Sequence, residues 1–382
     1  MIHRCGERRQ EAHYVAKGTA WQDDQTAFLS FGHNACSNSG IGIIAVTIGD
    51  HLECYHCTKA ADIAAFTGRS AIDPIRVYVG RAQGETPQER ADIALAELIR
   101  QKAFERKLLI VAMPPGTGWL DPGSVDTVEY MHGGDIATVS VQYSYLQSPL
   151  ALILETRSGL EQAAALISTV HTYWRDLPAD KRPKLYIHGL SLGAWSSMYG
   201  TDLFALLDVP ISGAFWVGPP FPSERWKSIT ASRNEGSPYI APELGDDRLV
   251  RFASHHDNDA GGPDGWGEMR IVYLQYTSDP IVFYEPESLF RKPEWMKEPP
   301  GPDVTPKMRF MPVVTQFQLA VDMALANTAP EGHGHSYYGP DYVGPWVAVT
   351  NPENWSAADT ARLKAHCDTG FQKGCKHDAS TR

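Results

Sequence analysis

The sequence predicts an α/β protein built on a doubly wound, mostly parallel sheet with helices on both faces. From residue 74 onward, short β-branched and apolar runs alternate with segments of helical period. This is the order of right-handed βαβ crossovers. One run, Leu108-Leu-Ile-Val-Ala-Met113, is almost purely apolar, as a strand covered on both faces must be.

Residues 1–65 mix Cys, His, Gly and Asn without a period and are expected to form an irregular N-terminal extension. Ile75-Arg-Val-Tyr-Val-Gly80 reads as the first strand of the sheet. Thr86-Pro-Gln-Glu89 then supplies an N-cap, a first-turn proline and a capping-box glutamate for a helix through Leu95, Leu98 and Ile99. The strand Leu108–Met113 is broken by Pro114-Pro-Gly-Thr-Gly-Trp119. A short helix from Ser124 to His132, a strand from Ala137 to Tyr143 and a helix from about Leu160 to Trp174 follow.

Leu185, Tyr186 and Ile187 form the next strand, and Ala194 to Leu207 reads as a helix. Ser212–Val217 and Arg270–Tyr276 are two further strands. The Pro-, Gly-, Ser- and Asp-rich stretch between them is longer than an ordinary connection and is expected to cover the active site. Residues 286–330, with a helix around Val313 to Leu325, would form a second wall. The catalytic domain is placed at 66–365 and a C-terminal tail at 366–382.

With 382 residues, 43% hydrophobic and 21% charged, the chain can bury a large core. A formal charge of −11 without a basic stripe argues against a nucleic-acid surface. No run reaches the roughly 18 to 20 apolar residues that span a bilayer, and Ile41–Ile48 is too short for a signal peptide. A cytoplasmic or membrane-peripheral place is therefore expected. The cysteines lie at 5, 36, 54, 57, 367 and 375. Cys54-Tyr-His-Cys57 has the spacing of a redox pair or half a zinc site, but no second such pair completes it, so reduced structural thiols are expected. A terminal Cys367–Cys375 disulfide is also open to the chain in an oxidising compartment. No cofactor or metal is expected.

The densest signal is Gly189-Leu-Ser191-Leu-Gly193, which closes an apolar strand and opens a helix. A nucleophile elbow has this form, the flanking glycines letting the backbone double back. Ser191 is the candidate nucleophile. A serine hydroxyl needs a base, and the base an orienting carboxylate. Asp279, in Ser278-Asp-Pro280 just beyond a strand, is the candidate acid, with Glu285 and Glu287 as rivals. Glu331-Gly-His333-Gly-His335 is a glycine-bracketed loop with two candidate bases; His335 is favoured and His333 is its rival. Leu192, directly after the nucleophile, would give one backbone N–H to an oxyanion; the loop after Met113 would give the other, through Thr117 or Gly116.

Trp119, Tyr145 and Trp216 would line an apolar substrate site near its mouth. A competing arrangement groups Ser254-His-His-Asp257 and Asp259 with His333 and His335 as metal ligands.

Taken together, Pro74–Gly80, Pro115–Trp119, Gln142–Leu146, Gly189–Gly193, Val217–Pro220, Tyr273–Gln275 with Ser278–Pro280, and Gly332–His335 resemble a bacterial α/β-hydrolase family described as predicted membrane-associated hydrolases. The resemblance covers roughly residues 65 to 365. It implies an α/β-hydrolase fold and serine hydrolase activity at Ser191, Asp279 and His333 or His335. Esterase or lipase-like chemistry on a small-molecule or lipid ester is the expectation. An acyltransferase or thioesterase with the same triad is the alternative, with a metal-binding or non-catalytic protein behind it. Relatives often carry N-terminal membrane helices, whereas residues 1–65 here are polar, so membrane association rests on resemblance alone.

Overall fold

The computed structural model describes residues 58–146, 151, 155–201, 208–370 and 373–376, with the backbone of 43–48 and 51–56. Its centre is a seven-stranded, all-parallel sheet. In chain order the strands are β3 (Ile75–Val79), β4 (Leu108–Met113), β5 (Ile136–Val141), β6 (Lys184–Leu190), β7 (Gly213–Val217), β8 (Val250–Ala253) and β9 (Arg270–Leu274). In space they run β3-β5-β4-β6-β7-β9-β8. Every residue of β4, β5 and β7 is buried, which accounts for their unbroken apolar character.

Alternation along β4 divides the core. Leu109, Val111 and Met113 face a layer made by α2 (Pro87–Arg100), α4 (Thr156–Asp176) and α5 (Leu192–Gly200). Leu108, Ile110 and Ala112 face the other layer, made by α3 (Pro122–Met131), α9 (Gly339–Thr350) and α10 (Ala357–His366). Helix α2 starts where its capping box lies: Thr86 Oγ1 accepts from the Glu89 N–H at 3.1 Å, and the Glu89 carboxylate accepts from the Thr86 N–H at 3.3 Å.

Several elements depart from the sequence reading. The N-terminal region holds an antiparallel backbone hairpin, β1 (Ile43–Ile48) with β2 (His51–His56), and a helix α1 (Ala60–Thr67). The long stretch after β7 is partly regular, with α6 (Glu224–Ala231) and β8. Strand β8 passes beyond the position of β9 to the sheet edge, and the chain then returns to fill the gap. Beyond β9 come a single turn α7 (Pro280–Phe283), then α8 (Val314–Ala324), then the loop into α9. Both long insertions leave the carboxyl ends of strands, where a parallel sheet places its ligands.

Cys367 and Cys375 form the disulfide that the sequence left open for this pair. The segment behind it is docked, since the Cys375 N–H donates to Asp126 Oδ2 at 3.0 Å. Cys5, Cys36, Cys57 and the side chain of Cys54 lie outside the described residues. Among the described residues, no helix is long and apolar enough to cross a membrane.

Candidate active site

Between β6 and α5 the chain turns at Ser191, whose φ of 55° and ψ of −122° are strained for a residue with a side chain. The turn is held by its own backbone: the Ser191 N–H donates to Val217 O at 2.8 Å, and Ser191 O accepts from the Trp195 N–H at 3.2 Å. Both glycines of the motif are sterically required. A Cβ on Gly189 would sit 2.4 Å from the Gly193 carbonyl, and one on Gly193 would sit 2.0 Å from Met113 O. Strand β6, helix α5 and the end of β4 are therefore pressed together around one serine.

Asp279 caps α7 just past β9 and is fully buried. Its Oδ1 accepts from the Ile281 N–H at 2.9 Å. Its Oδ2 faces His335 Nδ1 at 2.7 Å and accepts from the Tyr337 hydroxyl, also at 2.7 Å. Of its rivals, Glu285 accepts instead from the Glu294 N–H at 2.9 Å, and its carboxyl is raised by burial; Glu287 is exposed.

The base loop comes back from α8. The His335 N–H donates to Ala326 O at 3.0 Å, and Gly334 N–H donates to Ser278 Oγ at 2.9 Å. Ser278 Oγ in turn donates to Asp303 Oδ2 at 2.6 Å, tying the acid turn, the base loop and the 286–313 segment together. Gly218, with φ of 52°, provides the wall: a Cβ there would lie 2.8 Å from His335 Cε1 and 2.7 Å from the Tyr337 ring. His335 Nε2 is buried without a hydrogen-bond partner among the described residues. His333 is half-buried and turns its Nδ1 to Glu331 O at 3.2 Å. The carboxylate contact thus belongs to His335 and not to His333.

After β4, the loop Pro114–Trp119 makes a turn closed by Gly118 N–H to Pro115 O at 3.0 Å. The carbonyls of Thr117 and Gly118 accept from Gln142 Nε2 at 2.8 Å and the Tyr78 hydroxyl at 3.1 Å. The N–H groups of Gly116, Thr117 and Leu192 have no acceptor among the described residues. Tyr78 and Gln142 lie in the segments Pro74–Gly80 and Gln142–Leu146 that carry the family resemblance, but the sequence gives neither of them a role in the site. Trp119 is half-buried and Tyr145 is 49% exposed. Trp216 departs from expectation: it is 2% exposed, packs against Tyr273, and spends its indole N–H on Ser197 Oγ at 2.9 Å. It is a core residue between sheet and helix, with no face left for a substrate.

The histidine and aspartate residues weighed as metal ligands are engaged separately. His255 Nδ1 lies 2.9 Å from Asp341 Oδ2, Asp259 accepts from Lys364 Nζ at 2.9 Å, and His335 is on Asp279. Among the described residues, no group of three or more His, Cys, Asp or Glu is placed to hold a metal ion.

A second serine–histidine contact lies deeper. Ser124 Oγ is 3.0 Å from His188 Nε2, with His188 Nδ1 on Phe215 O at 2.8 Å. Both residues are buried, Trp346 Nε1 donates to Ser124 O at 3.0 Å, and burial lowers His188 to about 4. The backbone carbonyl fixes the proton on Nδ1, so Nε2 accepts from the serine.

A parallel sheet wrapped by helices on both faces, with a strained strand-to-helix turn at the carboxyl end of a central strand, defines an α/β-hydrolase fold. The model of an alpha/beta-hydrolase family matches residues 75–363, and the chain belongs to that family; by family it is a hydrolase. No curated protein matches the chain. Among solved structures, an acetylxylan esterase is 16% identical, covers 46% of this chain and 85% of its own, with a TM-score of 0.28. RedJ with a PEG molecule bound in the active site is 13% identical, covers 45% and 80%, with a TM-score of 0.23. At those scores neither informs the chemistry of this chain.

Proposed function

We propose that the protein is a serine hydrolase that cleaves carboxylic esters through Ser191, His335 and Asp279. The observation that carries the reading is the buried His335–Asp279 contact at 2.7 Å, with His335 Nε2 left without a hydrogen-bond partner among the described residues. Asp279 holds the imidazole in the Nδ1–H form, and Nε2 takes the proton of Ser191 as its oxygen adds to the ester carbonyl. The N–H groups of Leu192 and Thr117, or Gly116 in place of Thr117, receive the negative charge that develops on the carbonyl oxygen. His335 then gives its proton to the departing alcohol, and water repeats the sequence to release the acid. Ser124 is a poor alternative, because its histidine is oriented by a carbonyl rather than a carboxylate and both are sealed in the core. Trp119 and Tyr145 flank the loop side of the substrate site, a small-molecule or lipid ester being the class they suit.

Fluorophosphonate labelling tests this directly. Wild type and Ser124→Ala label at Ser191, whereas Ser191→Ala and His335→Ala do not, and His333→Ala labels like wild type. Loss of labelling in His333→Ala with retention in His335→Ala would overturn the assignment of the base. Asp279→Asn should lower kcat on an acyl ester on the order of 10³-fold or more, with the fold intact by circular dichroism.

A further inference from the structure

Asp279 has a third polar partner that the triad chemistry above does not use. Tyr337, 1% exposed, donates its hydroxyl to Asp279 Oδ2, the same oxygen that faces His335 Nδ1. Its ring stands edge-on to His335, with centroids 5.4 Å apart and planes at 84°. Its other face stacks on Tyr276, with centroids 4.2 Å apart and planes at 24°. Tyr276 is pinned at its far end, its hydroxyl donating to Asp341 Oδ2 at 2.5 Å. Asp341 is itself buried and held by His255 Nδ1 at 2.9 Å and Asn258 Nδ2 at 2.9 Å. Two His–Asp–Tyr units thus lie back to back, joined through their stacked tyrosines, one at the candidate site and one facing outward.

We infer that Tyr337 is a positioning residue for the acid–base pair, clamped in place by the Tyr276 stack and the Asp341 unit behind it. The inference rests on the triad reading. A phenol hydrogen bond to a buried carboxylate does two things. It fixes the carboxylate plane, and so the angle at which His335 presents Nε2; it also draws charge off Oδ2, and so moderates the basicity that the carboxylate induces in the imidazole. Burial and the neighbouring Asp279 hold the Tyr337 phenol well above the ordinary tyrosine range, so it stays a donor through the working pH. The other charged groups near this pair are Asp303, through Ser278, and Asp341, through Tyr276.

The experiment is the pH profile of kcat/KM on a soluble acyl ester for wild type, Tyr337→Phe and protein with 3,5-difluorotyrosine at position 337. Tyr337→Phe keeps the ring stack and removes only the donor. Its kcat should fall roughly tenfold to a hundredfold, with KM little changed, as expected for loss of a hydrogen bond to a charged group. Its acid limb should move to higher pH, because the unshared carboxylate stabilises the imidazolium more. Difluorotyrosine, a stronger donor of nearly the same shape, should move the limb the other way without unfolding the protein. Unmoved limbs in both proteins, with Ser191 still labelled by fluorophosphonate, would overturn the role of Tyr337 and leave the triad standing. If wild type does not label at Ser191, it is the triad reading that fails.

Discussion

Glycine 193 is where the geometry of the elbow is least forgiving. Its missing Cβ leaves room for Met113 O, so a methyl group would collide with the backbone of β4 rather than with a movable side chain. Gly193→Ala should therefore destabilise the fold by several kcal/mol, on the order of overpacking plus backbone strain, measured as a drop in the urea midpoint. The proposed triad of Ser191, Asp279 and His335 is suggested by sequence alone because a strand end, a turn and a glycine-bracketed loop mark the three in order. The sequence favours His335 over His333, and the contact with Asp279 falls to His335. That placement is held by Ala326 O, a short way back in the same loop region, and by the wall at Gly218, distant in sequence. Tyr337 was invisible: beside two histidines and another tyrosine it reads as loop or core. Trp216 misled because every residue of β7 is buried, so its pattern does not tell which aromatic faces a cleft.

At the scale of elements, legibility followed length and apolar continuity. Strand β4 was read to the residue because six buried positions in a row leave no other interpretation. Strand β8, four residues long and inside a stretch rich in turn-formers, carries too little period to be seen. The start of α2 was legible because its cap is local chemistry. Thr86→Ala removes the acceptor for the Glu89 N–H and should cost about 1 kcal/mol, read by urea unfolding, with ester turnover unaffected. Helix α9 carries Pro345 inside it. Burial against β7 and β9 outweighs the lost hydrogen bond there.

For the whole molecule, the clearest expectation is its response to acid. His188 sits in the middle of the core with its charged form disfavoured, lowered to about 4 by burial despite the Phe215 carbonyl. The unfolded chain binds this proton near pH 6.5 and the folded chain only near 4, so stability falls as pH drops through that window. Asp121 acts in the opposite direction. Burial raises it to about 7 even though Tyr342 donates to it, so the folded state takes up its proton first and gains stability as pH falls from 7 toward 4. His188→Gln should flatten the decline between pH 6.5 and 4 in urea unfolding midpoints; an unchanged slope would mean that His188 is not responsible.

The contact between Asp279 and His335 joins positions 56 residues apart, and the elbow lies still earlier in the chain. During synthesis, the strained serine turn can be in place while the proposed proton acceptor, His335, has yet to leave the ribosome. Even a chain complete to β9 would lack the loop that α8 and α9 later lay across Asp279. On the proposed triad, a nascent or truncated chain would be chemically silent, and turnover would become a readout of finished assembly.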